Sequence, residues 1–334
     1  MTLASLALSL GDPAGVGPEI IVKAWRALRH TGPAFMVVGD ARALAAAGGT
    51  VAIRAVHTPA QASSVFKTTL PILDIPLDEA AVAGQPSGAA AAQIIRWIEV
   101  ATGLALSGAA AGVVTAPIAK APLYAAGFRF PGHTEFLGDL APPPRGEAAR
   151  GPVMMLVAAD LRVALVTIHE PLARVPSLLT AELIVNAGLV TARALARDFG
   201  VERPRLAVAG LNPHAGEGGA LGGEEIAVIA PAVVALRQAG VDAAGPHPAD
   251  SLFHSKARAS YDAVLCLYHD QALIPVKMLD FWGGVNVTLG LPVVRTSPDH
   301  GVGFDIAGQG VARPDSLIAA LRLAAAIAAR RAGA

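Results

Sequence analysis

Leu6-Ala7-Leu8-Ser9-Leu10-Gly11-Asp12-Pro13-Ala14-Gly15-Val16-Gly17-Pro18-Glu19 is an apolar run, a glycine-studded turn and a helix start in immediate succession. Leu6–Leu10 reads as a buried strand. Pro18 suits a first helical turn, where its missing N–H would have no partner anyway. The same alternation recurs along the chain. Further strands are expected at Phe35–Val38, Gly112–Thr115, Val153–Val157, Val163–Thr167, Leu206–Ala209, Ala263–Leu267 and Val285–Thr288. Helices are expected at Pro18–Leu28, Ala89–Leu104, Leu179–Asp198, Glu224–Gln238 and Pro314–Ala329. Strand–helix alternation implies parallel βαβ units and an α/β fold. The short Ala159-Asp160 link between two apolar runs reads as a hairpin, so the sheet is expected to be mixed. Residues 141–146, rich in proline, read as a loop.

Composition narrows the function classes. Hydrophobic residues make up 53% and charged residues 16%, which argues for a well-buried globular chain and against disorder. With 26 basic and 26 acidic residues the formal net charge is +0, which leaves no basic excess for a nucleic-acid surface. Anion recognition must then come from a few placed residues. The lone Cys266 excludes intrachain disulfides and cysteine-cluster metal sites, and its apolar neighbours mark it as core. No basic segment precedes the mildly apolar residues 2–10, and the apolar stretch around 100–119 is broken by Gly, Ser, Thr and Pro. A cytoplasmic protein with neither a secretory signal nor a membrane span is expected.

Three histidines share one context. His169, His214 and His269 each follow an expected buried strand, whereas His30, His57, His247 and His254 do not. Ligand sites in open α/β sheets form beyond the carboxyl ends of strands. Three imidazoles delivered there can share one divalent cation and leave positions open for substrate. Glu170 and Asp270 follow two of them at once and are placed to orient imidazoles. The competing account is three ordinary loop histidines.

The Gly11–Glu19 turn matches neither GxGxxG nor a Walker loop, so it is either a tight turn or an anion-approaching one. At Gly132-His133-Thr134-Glu135 an imidazole and a hydroxyl meet a helix start, with Thr134 as a plain N-cap the rival reading. Lys277, Asn286 and Arg295 are polar residues in an otherwise apolar stretch, the kind of partners a phosphate and a carboxylate need.

These blocks, with Leu211–Glu217, Tyr268–Gln271 and Gly284–Pro292, resemble the 4-hydroxythreonine-4-phosphate dehydrogenase family, in the expected order across nearly the whole chain. The resemblance implies two α/β domains with a central mixed sheet, like isocitrate and isopropylmalate dehydrogenases, with the active site in the interdomain cleft. It implies a cofactor-side domain of about 1–127 plus 281–334, and a metal and dimerisation domain of about 128–280. It implies NAD-dependent oxidation of 4-phosphooxy-L-threonine, then decarboxylation to 3-amino-2-oxopropyl phosphate, in pyridoxine 5'-phosphate biosynthesis. Metal ligands fall on His169, His214 and His269, and substrate-binding residues on His133, Thr134, Lys277, Asn286 and Arg295. Cofactor contacts fall on Gly11, Asp12, Gly15, Gly17, His300 and Asp305, and Asp270 is a candidate general base. The cofactors implied are NAD or NADP and one divalent metal per subunit: zinc first, with Mg, Co or Mn as alternatives. The assembly implied is a homodimer with the site at the subunit interface. The loop His300-Gly301-Val302-Gly303-Phe304-Asp305 departs from the family's usual His-Gly-Thr-Ala-Phe-Asp, and Asp280–Gly283 is also unusual. Other readings are a dehydrogenase of 4-phosphoerythronate or threonate 4-phosphate, and a metal-dependent hydrolase or phosphatase.

Overall fold

The computed structural model describes residues 4–142 and 151–333, and most of the expected 141–146 loop lies outside them. The chain divides into two compact units, Met1–Pro142 with Leu291–Ala332, and Pro143–Gly290 with Gly333–Ala334.

The first unit contains β1 (Leu6–Ser9), α1 (Gly17–Leu28), β2 (Phe35–Gly39), α2 (Ala41–Gly48), β3 (Ile53–Ala55), α3 (Pro59–Val65), β4 (Leu70–Asp74), α4 (Ala91–Leu106), β5 (Val113–Thr115), α5 (Lys120–Ala125) and α6 (His133–Leu140). It also holds β12 (Arg295–Pro298) and α12 (Asp315–Gly333). Its strands run in the order β3-β4-β2-β1-β5-β12, every pairing parallel. Strands covered on both faces need apolar side chains throughout, and β1, β2 and β5 are buried at every residue. One helical stretch, Gly88–Leu106, is long and apolar enough to cross a membrane by length and composition. Its Ile94, Trp97, Ile98 and Ala101 are buried in this unit's core.

The second unit contains β6 (Val153–Ala158), β7 (Leu161–Leu165), α7 (Val175–Leu178), α8 (Ala181–Phe199), β8 (Arg205–Ala209), α9 (Ala230–Gln238), β9 (Asp242–His247), α10 (Ser255–Arg258), β10 (Ala263–Cys266), α11 (His269–Leu279) and β11 (Val285–Leu289). Its order is β11-β6-β7-β10-β8-β9. The β6–β7 hairpin and the β11–β6 pair are antiparallel, and the other pairs are parallel. The mixed sheet expected from the Ala159-Asp160 link therefore belongs to this unit. Cys266 is fully buried among Leu165, Val264 and Val276, and burial pushes its thiol pKa well up, so it is packing and not a nucleophile.

The strands that apolar runs miss are β3, β4, β9 and β12. They are short or carry Pro, Gly or polar residues, as in Asp242-Ala-Ala-Gly-Pro-His247. His247, read from sequence as lacking strand context, ends β9. The helix α11 is missed because it opens on His-Asp-Gln and contains Pro275. The expected boundaries at 127/128 and 280/281 differ from the observed division: α6 falls in the first unit, and β11 falls in the second because it pairs with β6.

Candidate active-site residues

Three neighbouring parallel strands of the second unit, β7, β10 and β8, end at one edge of the sheet, and each is followed there by one of the three histidines. Two come together. The His169 and His269 rings lie 5.8 Å apart between centroids at 41°, under a cavity of about 300 Å³ walled by Glu170, Leu172, Tyr268 and Asp270. The Asp270 carboxylate engages His269 Nδ1 at 2.8 Å, which leaves Nε2 as the donor atom for a metal. Glu170, expected to orient His169, pairs with Arg174 at 3.4 Å instead. Paired imidazoles with a carboxylate behind one of them suit a divalent cation. His214 does not join them: among the described residues of one chain, no group of three or more His, Cys, Asp or Glu side chains is gathered to hold an ion.

His214 has an unusual backbone. From His214 to Gly219 every φ is positive, between 45° and 100°, so Ala215 and Glu217 share the left-handed region with three glycines. Each non-glycine residue there costs about 1–2 kcal/mol. Sequence reading passes over the residue that holds this segment, Glu225, which is 3% exposed. Burial alone would raise its pKa, but hydrogen bonds from Asn212 and Leu211 outweigh that and hold the carboxyl below its ordinary range.

The first unit assembles a second polar group. Arg295 enters on β12 and is 2% exposed, and its Nη2 donates to Thr115 Oγ1 at 2.7 Å. Burial pushes its guanidinium down to about 9, despite the attraction of Glu135. His133 opens α6, and its Nε2 is buried with no hydrogen-bond partner among the described residues. Burial, then the charges of Arg295 and Lys120, hold His133 neutral well below the usual histidine range. Glu135 Oε2 is likewise buried without a partner. Thr134 is buried inside α6, whose N-cap is Gly132 with no side-chain cap, so the N-cap reading of Thr134 fails. Thr115, Lys120 and Glu135 escaped the sequence reading; Thr115 as a polar strand end was the one available signal.

Lys277 and Asn286 belong to the second unit. Lys277 Nζ lies 5.3 Å over the Phe281 ring, and Asn286 Oδ1 is buried and without a hydrogen-bond partner among the described residues. In the first unit, Gly11, Asp12, Gly15 and Gly17 are all buried. A Cβ on Gly11 would lie 2.5 Å from the Pro117 carbonyl oxygen, and one on Gly15 2.7 Å from that of Val302. These glycines bring backbone against backbone. Asp12 Oδ1 accepts from Ala14 N at 3.0 Å, and burial raises its pKa. His300 and Asp305 are exposed on the loop between β12 and α12. Glu19 ties down the end of that loop. It accepts from the Gly310 and Ala312 N–H groups, while Lys23 donates to both of their carbonyls and to Glu19.

Residues 32–324 match the family model described as "Pyridoxal phosphate biosynthetic protein PdxA". A relative from Caulobacter vibrioides named 4-hydroxythreonine-4-phosphate dehydrogenase is 70% identical over 331 residues, 99% of each chain. One of the same name from Maricaulis maris is 53% identical over 99% of each. The crystal structure of the Klebsiella pneumoniae 4-hydroxythreonine-4-phosphate dehydrogenase superposes with a TM-score of 0.85 at 41% identity, covering 97% of this chain and 99% of that one. With a matching family model over most of its length and near-full-length relatives at such identity, the chain belongs to the PdxA family of pyridoxal phosphate biosynthetic proteins.

Proposed function

We propose that this protein is a cytoplasmic, NAD-dependent oxidoreductase that converts 4-phosphooxy-L-threonine to 3-amino-2-oxopropyl phosphate and CO2. The observation that carries the reading is Arg295, a guanidinium kept in a fully buried place at a large desolvation cost, beside a neutral His133. Such a charge is retained where an anion comes to meet it. The printed activity of the 70% identical relative supplies the substrate.

The substrate C3 hydride would pass to NAD and the hydroxyl proton to a base, and the resulting β-keto acid would release CO2 as C2 takes up a proton. A divalent ion bound by histidines, when present, supplies Lewis acidity at the hydroxyl and later at the ketone. The chain's own groups do the rest. Arg295 and Lys277 neutralise the phosphate and the carboxylate. His133, as a neutral imidazole, and Thr134 and Asn286 fix the orientation. His169, His214 and His269 would hold the metal, and Asp270 orients His269 and is the candidate base. His300 and Asp305 meet the nucleotide, while Gly11, Asp12, Gly15 and Gly17 shape the turn beneath it.

The working form proposed is a homodimer. Ile274, Met278, Phe281 and Trp282 leave more than half of their surface exposed on and just after α11, an apolar face suited to a second copy of the chain. Because His214 stands apart from His169 and His269 within one chain, a shared site draws on both subunits.

The test is a side-by-side NADH assay with 4-phosphooxy-L-threonine, 4-phosphoerythronate and threonate 4-phosphate. A kcat/KM at least tenfold higher for the first is expected. NADH formation from one of the others alone would overturn the substrate assignment, and phosphate release without NADH would establish a hydrolase instead.

A further inference from the structure

Glu225 sends both carboxylate oxygens into the segment that leads to His214. Its Oε1 accepts the Leu211 and Asn212 backbone N–H groups, both at 2.7 Å. Its Oε2 accepts from Asn212 Nδ2 at 2.9 Å, and the same Nδ2 reaches Glu224 Oε2 at 2.7 Å. The fit is close on the other side too. A Cβ on Gly216 would come within 2.7 Å of Glu225 Oε2, so the left-handed turn is packed directly on the carboxylate. Glu225 itself opens the Glu225–Ile229 π-turn, a helical irregularity that recurs at functional sites. Three observations therefore converge on one side chain: a run of positive φ values, a buried carboxylate with three incoming hydrogen bonds, and a π-turn that aims it. A left-handed stretch containing His, Ala and Glu does not hold itself, and structure of this kind persists only where its surroundings over-determine it.

We infer that Glu225 is a positioning residue which clamps the left-handed His214–Gly219 turn and thereby fixes His214 for metal binding. The inference rests on the proposed role of His214 as a metal ligand. Glu225 touches neither metal nor substrate; it acts through the backbone of residues 211–216. The carboxylate is required in preference to an amide. A glutamine would place a second NH2 group against Asn212 Nδ2, and turning the Asn212 amide round would break its bond to Glu224.

The experiment compares the full-length wild-type protein with Glu225→Gln, Asn212→Asp and Glu225→Gln combined with Ala215→Gly. Asn212→Asp attacks the clamp from the other side by setting a third carboxylate against Glu224 and Glu225. Ala215→Gly lowers the intrinsic cost of the left-handed turn, because glycine adopts positive φ freely. Two readouts are taken: hydrogen exchange of residues 211–221 in the metal-free protein, and Co2+ affinity from its visible absorption bands. Glu225→Gln should speed exchange in that segment at least about tenfold and weaken Co2+ binding about tenfold, the range for groups that orient metal ligands. Asn212→Asp should do the same, and Ala215→Gly should recover part of both. Unchanged exchange in both single variants would overturn the clamp. Faster exchange with unchanged Co2+ affinity would reduce Glu225 to a structural residue and overturn the positioning role. A wild-type protein that binds no Co2+ would instead sink the metal reading beneath the proposal, and the exchange data would still decide the clamp.

Discussion

Replacing Arg295 with methionine should make the protein more stable and a poorer catalyst. The side chain is fully buried, so no solvent screening reduces the cost of its charge. Its fall from 12.5 to about 9 corresponds to about 5 kcal/mol against the charged form, with the attraction of Glu135 already included. Methionine keeps most of the apolar stem, and the hydrogen bond to Thr115 that it gives up is worth about 1 kcal/mol. Exchanging a buried charge for a well-packed apolar side chain gains about 1–4 kcal/mol. In a unit of this size each kcal/mol moves Tm by about 2–4 °C, so a rise on the order of 5 °C is expected. The same change removes a charge-assisted contact to the substrate anion of about 1.5–3 kcal/mol, a loss of about ten- to a hundredfold in kcat/KM. Differential scanning calorimetry without ligands and steady-state NADH production measure the two effects. A lower Tm with unchanged kcat/KM would refute the reasoning. It would mean that the attraction of Glu135 outweighs desolvation and that Arg295 is a structural cation.

His133 makes stability depend on pH. It titrates near 6.5 in the unfolded chain but is held neutral far below that when folded, so as pH drops through about 6.5 the unfolded state alone gains a proton and stability falls. Urea unfolding at pH 7.5 and 5.5 should show a smaller difference for His133→Asn than for wild type; equal differences would remove the buried-imidazole account. Glu19→Gln should loosen the Gly310–Ala312 end of the exposed loop and raise KM for NAD about tenfold, with KM for the phosphorylated substrate changed less than twofold. An unchanged KM for NAD would detach that loop from the cofactor. If the histidines are drawn from both subunits, a verified heterodimer of His214→Ala and His169→Ala chains should recover up to about half of wild-type activity although each parent is inactive. No recovery in a metal-loaded heterodimer would place all three ligands on one chain.

Pattern along the chain was sufficient for the α/β class, because strands covered on both faces must be largely apolar, and β1, β2, β5, β8 and β10 are apolar at all but one position at most. It was sufficient for the hairpin between β6 and β7, and for setting His169, His214 and His269 past the ends of three neighbouring parallel strands of the second unit. Full-length likeness to known motifs then supplied the family. The polar strands β9 and β12 stayed hidden, because their place in the sheet depends on partners distant in sequence and not on their own hydrophobicity. For the same reason only the tertiary structure could set Thr115, His133, Glu135 and Arg295 in one polar group, the first and the last 180 positions apart in the chain. Nor does any local pattern announce that Glu225 holds the left-handed turn before it, or that His169 and His269 meet while His214 stands apart. A residue's type is written in the sequence; whether its charge is desolvated, paired or poised depends on what packs around it, and that is settled only when distant segments fold together.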